Sequence, residues 1–158
     1  MANNLTPGDD GQSLYFARSD ISQLLGTFSA HPFTLEDKEW PSVEHYFQAM
    51  KFEAGNHQNI IRSAAGPKKA RKLGRTRFEK IRNDWSTART VFMTRAIYTK
   101  CRTYPDVSAL LLSTGSQKLV ESSQYDYFWG CGRDRRGENM YGQILMNVRD
   151  KLVEEKEA

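Results

Sequence analysis

The sequence has few of the features that stabilise secreted domains or anchor proteins in membranes. It contains two cysteines, Cys101 and Cys131, which are too few for a disulfide framework or a cysteine metal cluster. No apolar run approaches the length of a membrane-spanning helix. The first residues lack the basic stretch and the apolar core of a secretory signal. We therefore expect a protein of a reducing compartment, the cytoplasm or the nucleus, with no membrane partner.

The sequence also lacks the short motifs that identify many catalytic and cofactor sites. It contains no Walker loop, no dinucleotide-binding fingerprint, no zinc motif and no serine nucleophile elbow. His31 and His57 do not have the spacing of metal ligands, and we interpret His45 as a packed helix residue. We therefore expect no metal and no cofactor.

Length and periodicity predict one helix-rich domain. The chain of 158 residues has the length of a single domain that can bury a core. Residues 1–12 are polar and contain Pro7, Gly8 and Gly11, so we expect a disordered tail there, followed by one domain over 13–158. Predicted helices cover 42–52, 58–65, 67–73, 85–104, 106–112 and 140–155, and predicted strands cover 14–18, 31–35, 118–121 and 127–129, with a turn at 36–39. The predicted class is α+β, with a few short strands.

Charge is distributed unevenly along the chain. The net charge is +4, but the segment from Arg62 to Arg102 holds 13 Lys and Arg against Glu79 and Asp84, a net of +11. Such a segment is typical of a protein that binds a polyanion, such as a phosphate, a dinucleotide or nucleic acid. A solvated helical face would explain the same charge, so charge alone leaves both interpretations open.

The most informative stretch runs from Trp40 to Phe52. Ser42 is a good helix N-cap, because its hydroxyl can accept a hydrogen bond from a backbone N–H of the first turn. At about 100° per residue, Glu44, Gln48 and Lys51 fall within roughly 60° of one another and form one polar stripe. Aromatic and apolar residues flank this stripe on both sides, which is unusual for a helix face in contact with solvent.

Two interpretations of the polar stripe remain open at this point. Glu44 lies in a first turn, where the helix dipole favours acids, and Lys51 could extend to solvent, so the stripe could be ordinary surface. Alternatively, a carboxylate, an amide and an amine point into an apolar neighbourhood. Ionisable groups are costly there unless they are paired or serve a function.

A second informative stretch is the loop Gly130–Gly137, which holds three glycines and three arginines before the last predicted helix. Asn139 can cap that helix. Glycines let backbone N–H groups approach a phosphate, and a helix start adds positive potential. Just before the loop, Asp126 and Trp129 supply an acid and a ring that suit a ribose hydroxyl and a base plane. A simple turn before a helix would also explain the glycines.

These stretches resemble the NADAR family, also called YbiA-like. The run Trp-Pro-Ser-Val-Glu-His-Tyr-Phe-Gln-Ala-Met-Lys-Phe over residues 40–52 is similar to the family signature. The run from Asp126 to Arg149 is similar to the family's closing motif, and the segment from Trp85 to Arg95 also fits its pattern. The resemblance therefore covers residues 13–153.

The resemblance implies a YbiA-like fold and an N-glycosidase that cleaves ribose from an amine. Two substrate classes are associated with the family: ribosylamino-pyrimidine phosphates of riboflavin biosynthesis, and ADP-ribose attached to the exocyclic amine of guanine in nucleic acid. Both contain a ribose C1 bonded to an exocyclic amino group, which can open to an imine. A neutral lysine can exchange with that imine and hold the sugar as a Schiff base until water releases it.

Residue by residue, the resemblance implies that Lys51 is the nucleophile and Glu44 its acidic partner. Burial would lower the pKa of Lys51 and ionised Glu44 would oppose that, so we predict a proton shared between them. The expected substrate-binding residues are Gln48, Trp85, Asp126, Trp129, Gly130, Asn139, Gly142 and Arg18.

Of the two substrate classes we favour ADP-ribosylated guanine, because the basic segment and the closing-loop arginines exceed what one phosphate needs. The riboflavin-type substrate is the alternative, and a non-catalytic module that binds ADP-ribose or nucleotides is a further one. The expected partner is a substrate containing ADP-ribose or a ribose phosphate, carried by modified DNA or RNA under the favoured interpretation. We expect a monomer.

Overall fold

The computed structural model describes residues 3–158 as five short strands and six helices. The strands are Thr6–Pro7 (β1), Ser13–Phe16 (β2), Phe33–Leu35 (β3), Lys38–Trp40 (β4) and Lys118–Glu121 (β5). The helices are Val43–Met50 (α1), Asn56–Arg62 (α2), Pro67–Gly74 (α3), Trp85–Thr103 (α4), Pro105–Ser113 (α5) and Met140–Glu157 (α6). The predicted α+β class, rich in helices with a few short strands, is confirmed. Within residues 3–158, no helix has the length and hydropathy that a bilayer crossing requires.

Two small sheets flank the helices. The first has the order β1-β2-β5, with β1 antiparallel and β5 parallel to β2, so the parallel pair joins distant parts of the chain. The second is the hairpin of β3 and β4, which turns at Glu36 and Asp37, both at positive φ. The sequence predicted the first strand and the turn of this hairpin, but Lys38 and Glu39, assigned to the turn, already pair within the sheet.

The structure differs from the predicted disordered tail over residues 1–12. Thr6 and Pro7 pair with β2 as an antiparallel strand. The Asp10 carboxylate then accepts hydrogen bonds from the N–H groups of Gln12 and Ser13, which fixes the turn into β2. The polar residues and glycines of this segment therefore mark a turn, and residues 1 and 2 lie outside the described part of the chain.

The strand predicted at Tyr127–Trp129 is wrong. One carboxylate oxygen of Asp126 accepts hydrogen bonds from the N–H groups of Phe128 at 3.0 Å and Trp129 at 2.7 Å, which turns the chain. The carbonyl groups of this segment accept hydrogen bonds from backbone N–H groups at the start of α6. The segment therefore lies against α6 and directs Trp129 towards α1, where its ring meets Phe47.

The core forms around α1, every residue of which is buried. Helices α2, α3 and α4 pack against it, while α6 packs against α4, α5 and β5. Tyr46 of α1 and Tyr141 and Leu145 of α6 are among the side chains with no exposed surface. The helix that carries the signature sequence is therefore held rigidly by elements from most of the chain.

Candidate active site

Helix α1 begins as the sequence predicted. The Ser42 hydroxyl accepts a hydrogen bond from the His45 N–H at 3.2 Å, so the predicted N-cap is confirmed. His45 is buried and its ring nitrogens contact the Ser42 hydroxyl and the Ala64 carbonyl, which makes it a packed helix residue. Glu44 and Gln48 are only 2% and 7% exposed. The polar stripe therefore faces the interior and is not ordinary helix surface.

A cavity of about 200 Å³ opens beside this stripe. Its lining comes from α1, α3 and α4, from the residues just beyond β2, and from the segment before α6: Arg18, Glu44, Phe47, Gln48, Lys51, Arg71, Arg75, Trp85, Arg89, Met93, Asp126 and Trp129. Seven of the ten predicted site residues are in that set, and Gly130, Asn139 and Gly142 are not.

The Glu44 carboxylate is held by four hydrogen bonds. Arg71 donates to its two oxygens, from Nε at 3.0 Å and Nη2 at 3.2 Å. Thr27 and Gln48 each donate at 2.8 Å. Burial raises the pKa of Glu44, but the Arg71 charge and these donors outweigh it and leave the pKa below its usual value. Glu44 is therefore an ionised carboxylate inside the protein.

Lys51 ends α1 as a half-buried amine at the cavity wall. Its Nζ donates to the Gly74 carbonyl at 2.7 Å. Burial lowers the pKa of Lys51 and the Arg75 charge lowers it further, while Glu44 opposes both, so the pKa stays below its usual value. The predicted proton shared between Lys51 and Glu44 is not present, because Lys51 bonds to a backbone carbonyl and Glu44 bonds to Arg71.

Gln48 lies between the two ionisable groups along the stripe and bonds to one of them, Glu44. Its amide nitrogen donates to Glu44, while its Oε1 is buried and has no hydrogen-bond partner among residues 3–158. A Cβ at Gly74 would overlap that oxygen, so only glycine lets α3 approach α1 this closely. An unsatisfied buried acceptor is costly. Because this oxygen lies against Gly74 and not in the open cavity, a contact between Gln48 and a sugar hydroxyl requires the side chain to move, and this role of Gln48 stays a prediction.

The cavity contains more cations than its acids can neutralise. Arg18 pairs with Glu121 at 2.7 Å and Asp126 at 2.8 Å, and Arg71 pairs with Glu44. The remaining two arginines, Arg75 and Arg89, make no ion pair within residues 3–158. The Arg89 guanidinium lies 3.5 Å above the Phe128 ring and its Nε has no acceptor. Unpaired guanidinium groups at a cavity are suited to bind phosphate.

Aromatic rings form part of the cavity wall. The Phe47 ring lies 5.0 Å from Trp85 and 5.3 Å from Trp129, measured between ring centroids. Both tryptophans line the cavity, where flat rings suit a nucleobase. Their contact with a substrate base stays a prediction.

The other three predicted ligands fasten the closing segment to β5. The Asn139 side chain donates to the Leu119 carbonyl at 2.9 Å and accepts from the Glu121 N–H at 2.8 Å. Asn139 precedes α6 at a φ of 52°, but its side chain bonds to β5 and does not cap the helix, so the predicted cap is wrong. A Cβ at Gly142 would overlap the Leu119 carbonyl, and one at Gly130 would lie 2.8 Å from the Glu121 carboxylate.

The cations that sequence reasoning missed come from α3 and α4. Arg71, Arg75 and Arg89 line the cavity, whereas the loop arginines that we expected to bind an anion are exposed and lie outside its lining. Among the loop arginines, Arg135 lies over Tyr15 and Arg133 over Tyr125. These three arginines belong to the basic segment from Arg62 to Arg102. The sequence showed that this segment is basic, but it did not show which of its arginines face the cavity.

Comparisons with known proteins identify the family. A sequence model of the NADAR domain matches residues 12–153. An N-glycosidase of Nostoc punctiforme is 41% identical over 131 residues, covering 81% of this chain and 84% of the relative. The N-glycosidase YbiA of Escherichia coli is 35% identical over 142 residues, covering 90% and 89%. The chloroplastic riboflavin biosynthesis protein PYRR of Zea mays is 37% identical over 154 residues, which covers 88% of this chain and 25% of that longer protein.

The fold agrees with the sequence comparison. The solved structure of Escherichia coli YbiA matches with a TM-score of 0.83 and 35% sequence identity, covering 92% of this chain and 87% of that one. The predicted YbiA-like fold is therefore confirmed. The chain belongs to the NADAR domain family, whose relatives of similar length are N-glycosidases, enzymes of the N-glycosyl hydrolase class.

Proposed function

We propose that this N-glycosidase cleaves the bond between C1 of a ribose and an exocyclic amino nitrogen, and that its substrate is ADP-ribosylated guanine in nucleic acid. The observation that carries the proposal is Lys51, an amine of lowered pKa in a cavity that also holds the unpaired Arg75 and Arg89. A protein that only bound nucleotides would gain nothing from weakening the charge of a lysine beside its phosphate site. The further alternative, a non-catalytic module, is therefore less well supported.

The reaction begins in the substrate. The lone pair of the exocyclic nitrogen opens the ribose ring: the bond from C1 to the ring oxygen breaks, that oxygen takes a proton, and C1 becomes an imine carbon. Neutral Lys51 then attacks C1, and the base leaves as its free amine after receiving a proton. The sugar remains bonded to Lys51 as a Schiff base, so its C1 is still at the oxidation level of an aldehyde.

Water completes the reaction. It adds to C1 of the Schiff base, the bond to Lys51 breaks, and the released aldehyde closes again to ribose. Glu44 is ionised at rest because Arg71 lowers its pKa, so its first role is to accept a proton, from the attacking amine or from the water. It can donate a proton only after it has taken one up, which assigns it the base role at the start of the cycle.

The lining of the cavity matches the parts of such a substrate. Arg75 and Arg89 are free to bind phosphate, and Trp85 and Trp129 offer rings beside which a guanine can lie. The Gln48 amide nitrogen donates one hydrogen to Glu44 and has a second hydrogen that suits a ribose hydroxyl. In the proposed arrangement we place the ribose C1 next to Lys51, as the reaction requires.

A second candidate is the ribosylamino-pyrimidine phosphate of riboflavin biosynthesis. The relatives from Zea mays and Vibrio vulnificus support it, since both are named riboflavin biosynthesis proteins. The small volume of the cavity, about 200 Å³, also suits a pyrimidine and one ribose phosphate. The basic surface beyond the cavity supports the larger substrate instead.

The test is a side-by-side incubation with DNA containing ADP-ribosylated guanine and with a ribosylamino-pyrimidine phosphate, with the released products identified by mass. We expect the modified DNA to yield ADP-ribose and DNA with unmodified guanine. We expect this substrate to be cleaved with a higher kcat/KM than the pyrimidine substrate. Turnover on modified DNA should fall with added salt more steeply than turnover on a modified mononucleotide, because DNA phosphates add to the attraction. Faster cleavage of the pyrimidine substrate would establish the second candidate, and cleavage of neither would refute both.

A further inference from the structure

Helix α3 presents four cations along one face. Lys68, Arg71, Lys72 and Arg75 are spaced by three, four and seven residues, so they lie in one row over two turns. No acid lies between Pro67 and Arg75 to neutralise them. Glu44 neutralises Arg71 from α1, but Lys68, Lys72 and Arg75 remain as like charges that solvent ions or a bound ligand must offset.

A second and larger cavity, of about 760 Å³, runs along this face. Its lining consists of the start and exposed side of α3 together with one aromatic ring: Phe28, Ala65, Gly66, Lys68, Lys69, Arg71, Lys72 and Arg75. Arg71 and Arg75 also line the first cavity, so the two cavities adjoin at these side chains.

Arg71 forms the partition between the cavities. Its Nε and Nη2 donate to Glu44, its Nη1 donates to the Ser19 hydroxyl at 2.8 Å, and its guanidinium lies 4.5 Å from the centre of the Phe28 ring. Every nitrogen of this guanidinium is therefore already bonded within the protein. Arg71 fixes Phe28 and Glu44 relative to each other, and Glu44 already balances its charge.

Arg75 has the opposite character. It is exposed, it faces both cavities, and it makes no ion pair within the described chain. Lys68 and Lys72 are likewise exposed and have no acidic partner there. A phosphate group at Arg75 would therefore lie where a ligand passes from one cavity to the other.

We propose that the second cavity is a subsite for the distal nucleoside of a substrate in which two nucleosides are joined by a diphosphate. The diphosphate lies at Arg75, Lys68 and Lys72, and the distal base lies against Phe28. The placement rests on the proposed function, which puts the reacting ribose at Lys51. A substrate with one phosphate would end at Arg75 and leave the second cavity empty.

A strand of nucleic acid is the competing occupant of the same face. The observations favour the distal nucleoside, because the lining offers a single aromatic ring, Phe28, and otherwise comes from the short stretch 65–75. A strand would be bound by a longer track of cations with stacked rings at intervals. Competition with an unmodified oligonucleotide separates the two.

The test is calorimetric titration of the whole protein with ADP-ribose, ADP and ribose 5-phosphate. We expect ADP to bind on its own, and ADP-ribose to bind about tenfold more tightly than ribose 5-phosphate, as base stacking and a second phosphate contribute. Lys68→Gln/Lys72→Gln should weaken ADP and ADP-ribose about tenfold while changing ribose 5-phosphate by less than about twofold. Phe28→Leu should also weaken the binding of ADP and ADP-ribose, because it removes the ring against which the base lies. Leucine is chosen because it keeps an apolar side chain at the partition.

Lys151→Gln/Lys156→Gln is the matched control, since it removes two exposed lysines of α6 that line neither cavity. Three results would each overturn the subsite. The control could weaken binding equally, ADP-ribose and ribose 5-phosphate could bind with equal affinity, or an unmodified oligonucleotide could displace ADP. Turnover is measured in parallel. ADP binding that depends on Lys68 and Lys72 without any glycosidase activity would support the subsite and refute the proposed function, while cleavage without ADP binding would do the reverse.

Discussion

Lys51 is half-buried and Lys100 is buried, and the two lysines have different roles in the protein. Lys100 is 2% exposed, and its Nζ donates to the Gly26 carbonyl at 2.9 Å and the Ser29 hydroxyl at 2.6 Å. Burial lowers the pKa of Lys100 to about 8. Burial also lowers the pKa of Lys51, but Lys51 faces a cavity, and Lys100 is not part of the lining of that cavity.

The difference shows that a weakened charge is not enough to make a nucleophile. Burial disfavours the ammonium form at both sites, but an incoming C1 atom needs free space beside the amine, which only the Lys51 site offers. Lys100 instead holds the loop between Gly26 and Ser29. Thr27 of that loop donates to Glu44, so Lys100 acts on the site through the backbone that it fixes.

The largest effect is expected from Lys51→Ala. Without the amine no Schiff base can form, so kcat should fall about a thousandfold or more while the melting temperature stays near that of the wild type. Turnover and thermal unfolding are measured on the same preparation. A folded Lys51→Ala protein with normal turnover would refute the nucleophile role, and Lys100→Met serves as the comparison because it should keep measurable activity.

Glu44→Gln should have the next largest effect. The substitution keeps the shape of the side chain but removes the base, so kcat should fall about a hundredfold or more. It also leaves the largely buried Arg71 without its carboxylate, which should lower the melting temperature clearly, so turnover is measured at a temperature where the variant is folded. Activity within about twofold of the wild type would mean that the carboxylate serves only to hold Arg71 in place.

Lys100→Met should reduce kcat about tenfold, because Thr27 and Glu44 lose their fixed positions. The Lys100→Met variant should also differ from the wild type in how its free energy of unfolding depends on pH. The folded-state pKa is about 8 and the usual value is 10.5, so unfolded chains bind one more proton than folded chains between these pH values. The wild type should therefore gain stability relative to Lys100→Met as pH rises through that window, and the difference should stay constant below it.

Denaturant titrations at a series of pH values measure this difference directly. The neighbouring Cys101, whose pKa burial raises to about 11, contributes to the pH dependence in the opposite sense, and the Lys100 charge lowers that pKa. Both proteins are therefore compared in a Cys101→Ala background, which removes this coupled contribution from both curves. A difference that did not change between pH 8 and 10.5 would mean that Lys100 is charged to the same extent in both states.

The smallest expected effect is a shift of the pH profile in Arg75→Gln. The Arg75 charge lowers the pKa of Lys51, so its removal should raise that pKa. Because the neutral amine attacks, the alkaline rise of kcat should move to higher pH, and activity should recover when the pH is raised. Lys151→Gln is the control, and an Arg75→Gln profile that overlays the wild type would show that this charge does not tune Lys51.

Local signals in the sequence predicted the part of the site carried by α1. Ser42 caps the helix through contacts within four residues, and the spacing of Glu44, Gln48 and Lys51 follows from helical geometry alone. The flanking aromatic residues also indicated correctly that this stripe is buried.

The partners of that stripe could not be predicted, because they depend on packing between distant segments. Arg71 and Arg75 reach the cavity only once α3 packs against α1, and that approach depends on the small volume of Gly74. Asn139 and Gly142 were predicted as parts of an anion site because they follow a glycine-rich loop. Their actual contacts are with β5, and no short-range sequence pattern connects them to that strand.

Reductive trapping tests the role of Lys51 most directly. The protein is incubated with a cleavable ribosylated amine and sodium borohydride, and its peptides are analysed by mass. We expect substrate-dependent inactivation and a single adduct on Lys51 with the mass of the sugar moiety without its base, and no adduct on Lys100. Turnover that is unaffected by borohydride, or an adduct on another lysine in place of Lys51, would contradict the Schiff-base mechanism.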